Sequence, residues 1–562
     1  MHKLWITKPQ NRTLSENLAK EMGISAVMAQ FLLNRGVTDP AAADNFLKCR
    51  KSSLHDPFML KDMEKAVVRV KGAIDKNEPI LIYGDYDVDG ITGVAVLVTF
   101  LKRQGAEVSF YVPNRLDEGY GMNMKAVKDI EKKKIGLLIS IDCGITDKEE
   151  VEYLMGRGID VIVIDHHRVQ KDLLPGAYAV IDPMQDGCDY PFKHLSAVGL
   201  AYKFVCAFRN DRAHENDDFL DLVALGTVAD VSPQIGENRI LTRYGLKKIA
   251  DTDNIGIKAL MQVAGVNTKE ITTTHVGFML GPRINASGRI GTPEMALRML
   301  LSNNREEARE LAEVLNEENK YRQKLQEKIL SQAMDQVERV DFKQNKVLVV
   351  WGDDWHPGVV GIVASKIVNR FYRPSIVLSV KGGIGKGSGR SIDGFHLFNA
   401  VSECREVLGE FGGHEAACGV TVASNNLDRF SSMVNRVADD MLDVKDLIPK
   451  VRIDMEVSLQ DVTLDLLREM ELLEPYGPEN PKTLLLTKNL KLKNLPAGFG
   501  KNGVKFWATD DFATCEAKHF NRQELSSPVE GLDRFDLVYS PQIRRSFGIE
   551  SVELSVEDLK TA

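Results

Sequence analysis

No apolar run in this 562-residue sequence approaches the length of a membrane span, and no secretory core follows the opening MHKLW. A cytoplasmic chain without a membrane role is therefore expected. The seven cysteines form no CxxC pair, which argues against a zinc knuckle or a disulfide framework and fits reduced, incidental thiols. Internal repeats and low-complexity tracts are missing as well. So is an overall excess of positive charge: the net charge is −8, which by itself speaks against a nucleic-acid partner. One segment reverses that balance. From Lys482 to Lys505 there is no Asp or Glu, but there are six lysines, at 482, 488, 491, 493, 501 and 505. Gly and Pro are absent from 303 to 339, a highly charged stretch with the composition of one long exposed helix.

Hydrophobic residues make up 43% and charged residues 27%, an ordinary balance for a soluble globular chain, and the length implies two to four domains. The first 75 residues read as polar and helical. Short apolar strands then alternate with helices: strands at 79–83, 108–112, 135–141 and 160–164, with helices between them. Such alternation, with unbroken β-branched runs, predicts a parallel sheet covered on both faces. A second α/β unit follows the charged helix, with strands at 346–350 and 375–380, a helix at 358–371 and a glycine-rich loop at 382–389. Beyond about 446, short strands separated by Gly, Pro and Asn predict a small β-barrel.

The sharpest motif is Gly84-Asp85-Tyr86-Asp87-Val88-Asp89-Gly90. Three carboxylates at alternate positions directly after a buried strand lie where a parallel sheet opens into its ligand crevice. Their mutual repulsion calls for a hard cation. An EF-hand calcium loop would need Glu at position 96, which is Val96 inside an apolar helix, so that reading fails. The pattern recurs twice: the apolar run 135–141 ends in Asp142, and 160–164 ends in Asp165-His166-His167. Asp230 adds a carboxylate to the otherwise apolar run LGTVADV, where an unpaired charge is costly.

These motifs, GDYDVDG, SIDCGIT, DHH and ALGTVADV in that order, resemble the DHH phosphoesterases. GPRINASGR (281–289), WHPGVVG (355–361) and GGHEAA (412–417) are similar to the RecJ-type exonucleases within them. The resemblance spans nearly the whole chain. It implies a DHH catalytic domain at 76–302 after the N-terminal helical region (1–75), and a connector helix at 303–340. A smaller DHHA1 substrate-binding domain at 341–445 and a C-terminal OB-fold at 446–562 complete the chain.

It further implies that Asp85, Asp87, Asp89, Asp142, His166 and Asp230 hold two divalent ions, Mn²⁺ or Mg²⁺, with Asp142 bridging. Asp87, Asp89 and Asp142 would be central to catalysis, and His167 would stand beside the scissile phosphate. Ser388 and Arg390 would grip a 5′-terminal phosphate with help from Arg115. Arg283, Asn285, Arg289, His356 and His414 would make further substrate contacts. The implied activity is two-metal 5′→3′ hydrolysis of single-stranded DNA to mononucleotides, in DNA repair and recombination, by a monomer working with a helicase and a single-strand-binding protein.

In the lysine-rich segment, Lys488, Lys491, Lys493, Lys501 and Lys505 with Phe499, Phe506 and Trp507 combine cations for phosphates with rings for bases, as sequence-tolerant single-strand binding requires. All candidate catalytic groups precede residue 420, so chemistry and strand binding are expected to be separable. The run EPYGPENP (474–481) resembles the family's PFGxGNP turn but differs at Tyr476 and Glu479. Two other readings share parts of the pattern. A DHH hydrolase for nanoRNA or cyclic dinucleotides would leave the connector and the basic β-domain without purpose. A non-catalytic replication scaffold would have lost ligands that are all present here.

Overall fold

The computed structural model describes residues 3–210, 217–521, 524–529, 531–546 and 548–562. It forms two compact units, one comprising Asp44–Arg322 with Leu473–Pro481, the other Met1–Ala43, Gln323–Leu472 and Lys482–Ala562.

The first unit is built on a five-stranded, all-parallel sheet. Its strand order is Val108–Tyr111, Ile80–Gly84, Leu137–Ile141, Asp160–Ile164 and Ala179–Ile181. Ile80–Gly84 and Leu137–Ile141 are buried throughout, as continuous apolar runs require when helices cover both faces. The helix Val88–Arg103 packs onto the sheet with almost every side chain buried. Its approach depends on glycine: a Cβ on Gly93 would lie 2.6 Å from Ile141, and one on Gly84 would overlap Val94. Helices Ala197–Arg209 and Leu220–Ala229 complete this core.

Register decides what the sheet presents. Gly84, Ile141, Ile164 and Ile181 lie in one row across four adjacent strands. The residue after each is an aspartate: Asp85, Asp142, Asp165 and Asp182. Each of the first three donates its backbone N–H to the last carbonyl of the neighbouring strand, at 3.3, 3.0 and 3.1 Å.

The second unit holds a five-stranded sheet in the order Leu408–His414, Ala417–Ala423, Ile384–Arg390, Ser375–Lys381, Leu348–Asp353. The expected glycine-rich loop at 382–389 is therefore mostly a strand. A Cβ on Gly387 would lie 2.6 Å from Leu378 and Val377, and one on Gly389 2.7 Å from Cys418, so glycine at alternate positions permits close strand packing. The other face carries Lys386, Ser388 and Arg390.

C-terminal to it lies a seven-stranded sheet in which Leu485–Leu492 pairs with both Phe535–Ser546 and Gly503–Thr509, bringing the sheet back upon itself. The N-terminus is not wholly helical. Leu4–Thr7 is a strand that pairs in parallel with Lys450–Ile453. The charged stretch forms the helix Arg305–Val337, but it is not fully exposed: Ala308, Ala312, Leu315, Ile329, Ala333 and Val337 make a buried seam along it.

Candidate metal centre and nucleic-acid contacts

The sharp turn after Ile80–Gly84 places the first three acids. Asp87 caps the helix Val88–Arg103, its Oδ1 accepting from the N–H groups of Asp89 at 2.9 Å and Gly90 at 3.2 Å. A Cβ on Gly90 would lie 2.5 Å from the Asp85 carbonyl, so only glycine permits this turn. Asp89 is fully buried and accepts from Ala197 N–H at 2.7 Å and Val198 N–H at 2.9 Å, at the start of the helix Ala197–Arg209. Asp142 holds a left-handed backbone, φ +65°, an uncommon conformation for a residue other than glycine that is concentrated at functional sites.

Three groups of ligand atoms converge, each within 4.8 Å: Asp85, Asp87 and Asp142; Asp89, His166 and Asp230; Asp142, His166 and His167. Asp142 belongs to two of them. His166 Nε2 lies 3.2 Å from Asp142 Oδ1 and 3.8 Å from Asp89 Oδ2. Yet, among the described residues, Asp85 Oδ1, Asp142 Oδ1 and His166 Nε2 are buried without a hydrogen-bond partner.

Burial first, and repulsion between the acids second, holds Asp85, Asp89 and Asp142 well above the ordinary carboxylate range, and burial raises Asp230 too. Burial lowers His166, which favours the neutral imidazole that serves as a metal ligand. Clustered, unpartnered oxygens with a neutral imidazole fit a divalent ion such as Mn²⁺ or Mg²⁺ far better than an empty polar cavity.

Behind this group stands Asp165, which sequence reasoning assigned no role. It accepts from His166 N–H at 2.8 Å, His167 N–H at 3.2 Å, Ile145 N–H at 3.1 Å and His167 Nδ1 at 2.8 Å. Burial alone would raise it, but the bond to His167 more than offsets that and leaves it below the ordinary value. Burial likewise opposes charging of His167, while Asp165 and the other acids push it up to about 9. Asp182, also missed, is fully buried and pushed up to about 7 by burial, with Oδ2 unpartnered. Tyr120, half exposed, places its hydroxyl 3.3 Å from the Asp142 carbonyl and 3.2 Å from His167 Nδ1.

The helix Gly281–Ile290 lies against the same loops. A Cβ on Gly281 would meet Ala229 at 3.1 Å, next to Asp230, and one on Gly288 would meet the Tyr86 carbonyl at 2.7 Å, between Asp85 and Asp87. Asn285 shares the helix face of these two glycines. Arg115 stands over the Tyr86 ring at 5.4 Å, and the charge of Arg289 is felt at the same tyrosine. Arg283 turns to the Met279 carbonyl at 2.5 Å and Asn316 at 3.1 Å.

In the mixed sheet, Arg390 Nη1 donates to Ser388 Oγ at 2.7 Å. A Cβ on Gly361 would lie 3.1 Å from both side chains, so the pair rests on the first turns of the helix Pro357–Phe371. His356 caps that helix, accepting from Gly358 N–H at 3.1 Å. Arg390, Ala417 and His414 form one row across three strands, which puts His414 on the Arg390 face. The structure thus sets Ser388 and Arg390 against Gly361, in the helix that His356 caps, and a helix N-terminus is a favourable place for an anion.

On the C-terminal sheet one expectation is corrected. Phe506 is 1% exposed and packs edge-on against Phe535, because in the strand Gly503–Thr509 it alternates inward while Lys505 and Trp507 point out. The outward face carries Trp507, 43% exposed, and Lys505, opposite Lys518. Phe499 packs edge-on against Phe520, itself 73% exposed and not foreseen. Lys493, Lys501 and Lys505 are exposed, whereas Lys488 pairs with Glu456 at 2.8 Å and Lys491 with Asp511 at 2.6 Å.

Family models match three segments: the DHH family N-terminal domain at 79–227, the DHHA1 domain at 344–440 and the RecJ OB domain at 453–558. The single-stranded-DNA-specific exonuclease RecJ of Bacillus subtilis is 37% identical over 557 residues, covering 99% of this chain and 70% of that one. Its counterpart in Dickeya dadantii is 32% identical over 588 residues, covering 99% of each. The chain belongs to the RecJ family. The crystal structure of RecJ with Mn²⁺ from Thermus thermophilus matches the whole of this chain and 80% of that one, with a TM-score of 0.85 and 26% identity. The RecJ structure with Mg²⁺ from the same organism matches the whole of this chain and 78% of that one, with a TM-score of 0.79 at 25% identity.

Proposed function

We propose that this chain is a metal-dependent 5′→3′ exodeoxyribonuclease that hydrolyses single-stranded DNA to 5′-mononucleotides, with Mn²⁺ or Mg²⁺ as cofactor. One observation carries the reading: a row of aspartates at one sheet edge, buried beside His166, with oxygens unpartnered among the described residues. Asp85, Asp87 and Asp142 would hold one ion, and Asp89, His166 and Asp230 the second, with Asp142 shared. When bound, the ions supply Lewis acidity, making water a nucleophile at neutral pH and neutralising charge on the phosphoryl oxygens.

The chain's own groups do the rest. Asp165 fixes the His167 ring so that its protonated face can hydrogen-bond the scissile phosphate. Arg115, Arg289 and Asn285 orient the phosphates next to the metal loops, while Arg283 contributes more remotely. In the 341–445 domain, Ser388, Arg390 and His356 take the 5′-terminal phosphate as a charge-assisted contact at a helix N-terminus, with His414 beside them. Within 446–562, Trp507 and the Phe499–Phe520 pair stack bases, while Lys493, Lys501 and Lys505 neutralise the backbone. The region 76–302 is the catalytic domain and 303–340 the connector.

Among the described residues no helix is long and apolar enough to cross a membrane. A cytoplasmic monomer in DNA repair and recombination, meeting DNA opened by a helicase and coated by a single-strand-binding protein, is the setting this reading implies. The small-substrate and scaffold readings are favoured by no observation.

Single-stranded DNA labelled at one end or the other, incubated with Mn²⁺ or with EDTA, tests the proposal. A 5′ label should leave as mononucleotide at once, a 3′ label only at the end, and EDTA should stop both. Release of the 3′ label first, or digestion in EDTA, would overturn it.

A further inference from the structure

The turn at 473–481 belongs to the same compact unit as the metal loops, although the residues on both sides of it belong to the other unit. Its partner is the loop that follows Asp230. The Pro478 carbonyl accepts from Gln234 N–H at 2.8 Å. A Cβ on Gly477 would overlap Cγ of Gln234, so the glutamine stem lies directly on the glycine. Arg239, 2% exposed, donates Nη1 to the carbonyls of Leu473 at 2.7 Å and Pro475 at 3.3 Å, with its guanidinium 4.1 Å from the Phe46 ring centroid.

The turn is also closed on itself. Fully buried Asn480 donates Nδ2 to the same two carbonyls, at 2.8 Å each, and Gly477 and Asn480 exchange backbone bonds at 3.0 and 3.1 Å. A rigid fixture results.

On the loop side, the grip leads straight to the ligand. Gln234 Nε2 donates to the Ser232 carbonyl at 3.1 Å, and the Ser232 hydroxyl donates to the Asp230 carboxylate. Val231, between them, holds φ +65° with its side chain 65% exposed. A β-branched residue keeps a left-handed backbone only where its surroundings impose it, and here the imposed shape turns Asp230 toward His166 and Asp89.

We propose that the turn Leu473–Pro481 is a positioning element of the metal centre: by gripping Gln234 and Arg239 it fixes the loop that sets the Asp230 carboxylate among the other ligands. This rests on the metal-site reading above. It gives the EPYGPENP motif a task and makes a segment far along the chain part of the catalytic unit.

Calorimetric titration of Mn²⁺ into the full-length, metal-free protein tests it without DNA. Gly477→Ala pushes on Gln234 and should weaken Mn²⁺ binding about 10-fold, the scale of an outer-layer partner of a metal ligand. At limiting Mn²⁺ its kcat on single-stranded DNA should fall with KM unchanged, and excess Mn²⁺ should restore it. Gln234→Ala, which removes the bond to the Ser232 carbonyl, should weaken Mn²⁺ binding as well. Arg239→Lys, which loses the planar fork, should also weaken Mn²⁺ binding and serves if Gly477→Ala does not fold by circular dichroism. Phe506→Ala is the control: it destabilises the core of the other unit and should leave Mn²⁺ affinity intact. Folded Gly477→Ala or Arg239→Lys protein with parental Mn²⁺ affinity would overturn the proposal alone. So would parental Mn²⁺ affinity in folded Gln234→Ala protein. A parent that binds no Mn²⁺ would overturn both this proposal and the metal reading beneath it.

Discussion

At the carboxyl edge of the parallel sheet, like charges are buried together with oxygens left unpartnered; on the C-terminal sheet, lysines stand in solvent, two of them beside a surface carboxylate. The first arrangement is costly unless a cation completes it, so it carries functional meaning by itself. The second is cheap, and a solvated lysine next to an acid contributes little to anything. In that region meaning lies in what is left outward without apolar cover: Trp507, Phe520 and the exposed lysines 493, 501 and 505.

The comparison breaks most readily at Asp142. Asp142→Ala should abolish hydrolysis, a loss exceeding the roughly 100-fold typical of an outer-layer residue, while circular dichroism stays parental. Residual activity within tenfold of the parent would mean that the buried acids serve the fold.

Next come two neighbouring rings. Phe506→Ala should cost about 3–5 kcal/mol of stability in a denaturant melt and leave the strand affinity of the folded protein unchanged. Trp507→Ala should do the opposite, leaving the melt alone and weakening single-strand binding by roughly 1–3 kcal/mol. Equal effects of the two on binding would erase the distinction between inward and outward rings.

Sequence reasoning succeeded where a signal was local and repeated. The strands ending at Gly84, Ile141 and Ile164 are mostly apolar runs, each followed at once by acid, and that recurrence predicts a shared edge. Asp182 escaped because its strand, Ala179–Ile181, is only three residues long and leaves no pattern to read. Phe506 was misplaced because it and Trp507 are adjacent rings, so alternation did not say which one faces in. The strand at 384–390 looked like a loop because glycine signals flexibility in sequence, whereas here it permits close packing. Pairing of Leu4–Thr7 with Lys450–Ile453, and of the 473–481 turn with Gln234 and Arg239, depends on contacts across hundreds of residues that no local pattern encodes. Removing everything after about 450 would remove that turn along with the strand-binding sheet.

Arg390, half-buried and bonded to Ser388, is intermediate in exposure. Arg390→Ala should weaken capture of a 5′-phosphorylated end by about 2–3 kcal/mol, one to two decades, with no change in Mn²⁺ binding. Unchanged preference for 5′-phosphate over 5′-hydroxyl ends would show that another element reads the terminus. The smallest effects belong to the lysines. Lys501→Ala and Lys505→Ala should each reduce the slope of log affinity against log salt by about 0.7, and ion-paired Lys491→Ala by less. Identical slopes for all three would make the surface pairing irrelevant.

The central claim is that the aspartate row with His166 is a cation site, and equilibrium titration of Mn²⁺ into metal-free protein tests it most directly. The account predicts two ions bound per chain in the parent and loss of that binding in Asp142→Ala. No binding by the parent, or full binding that survives Asp142→Ala, would contradict it.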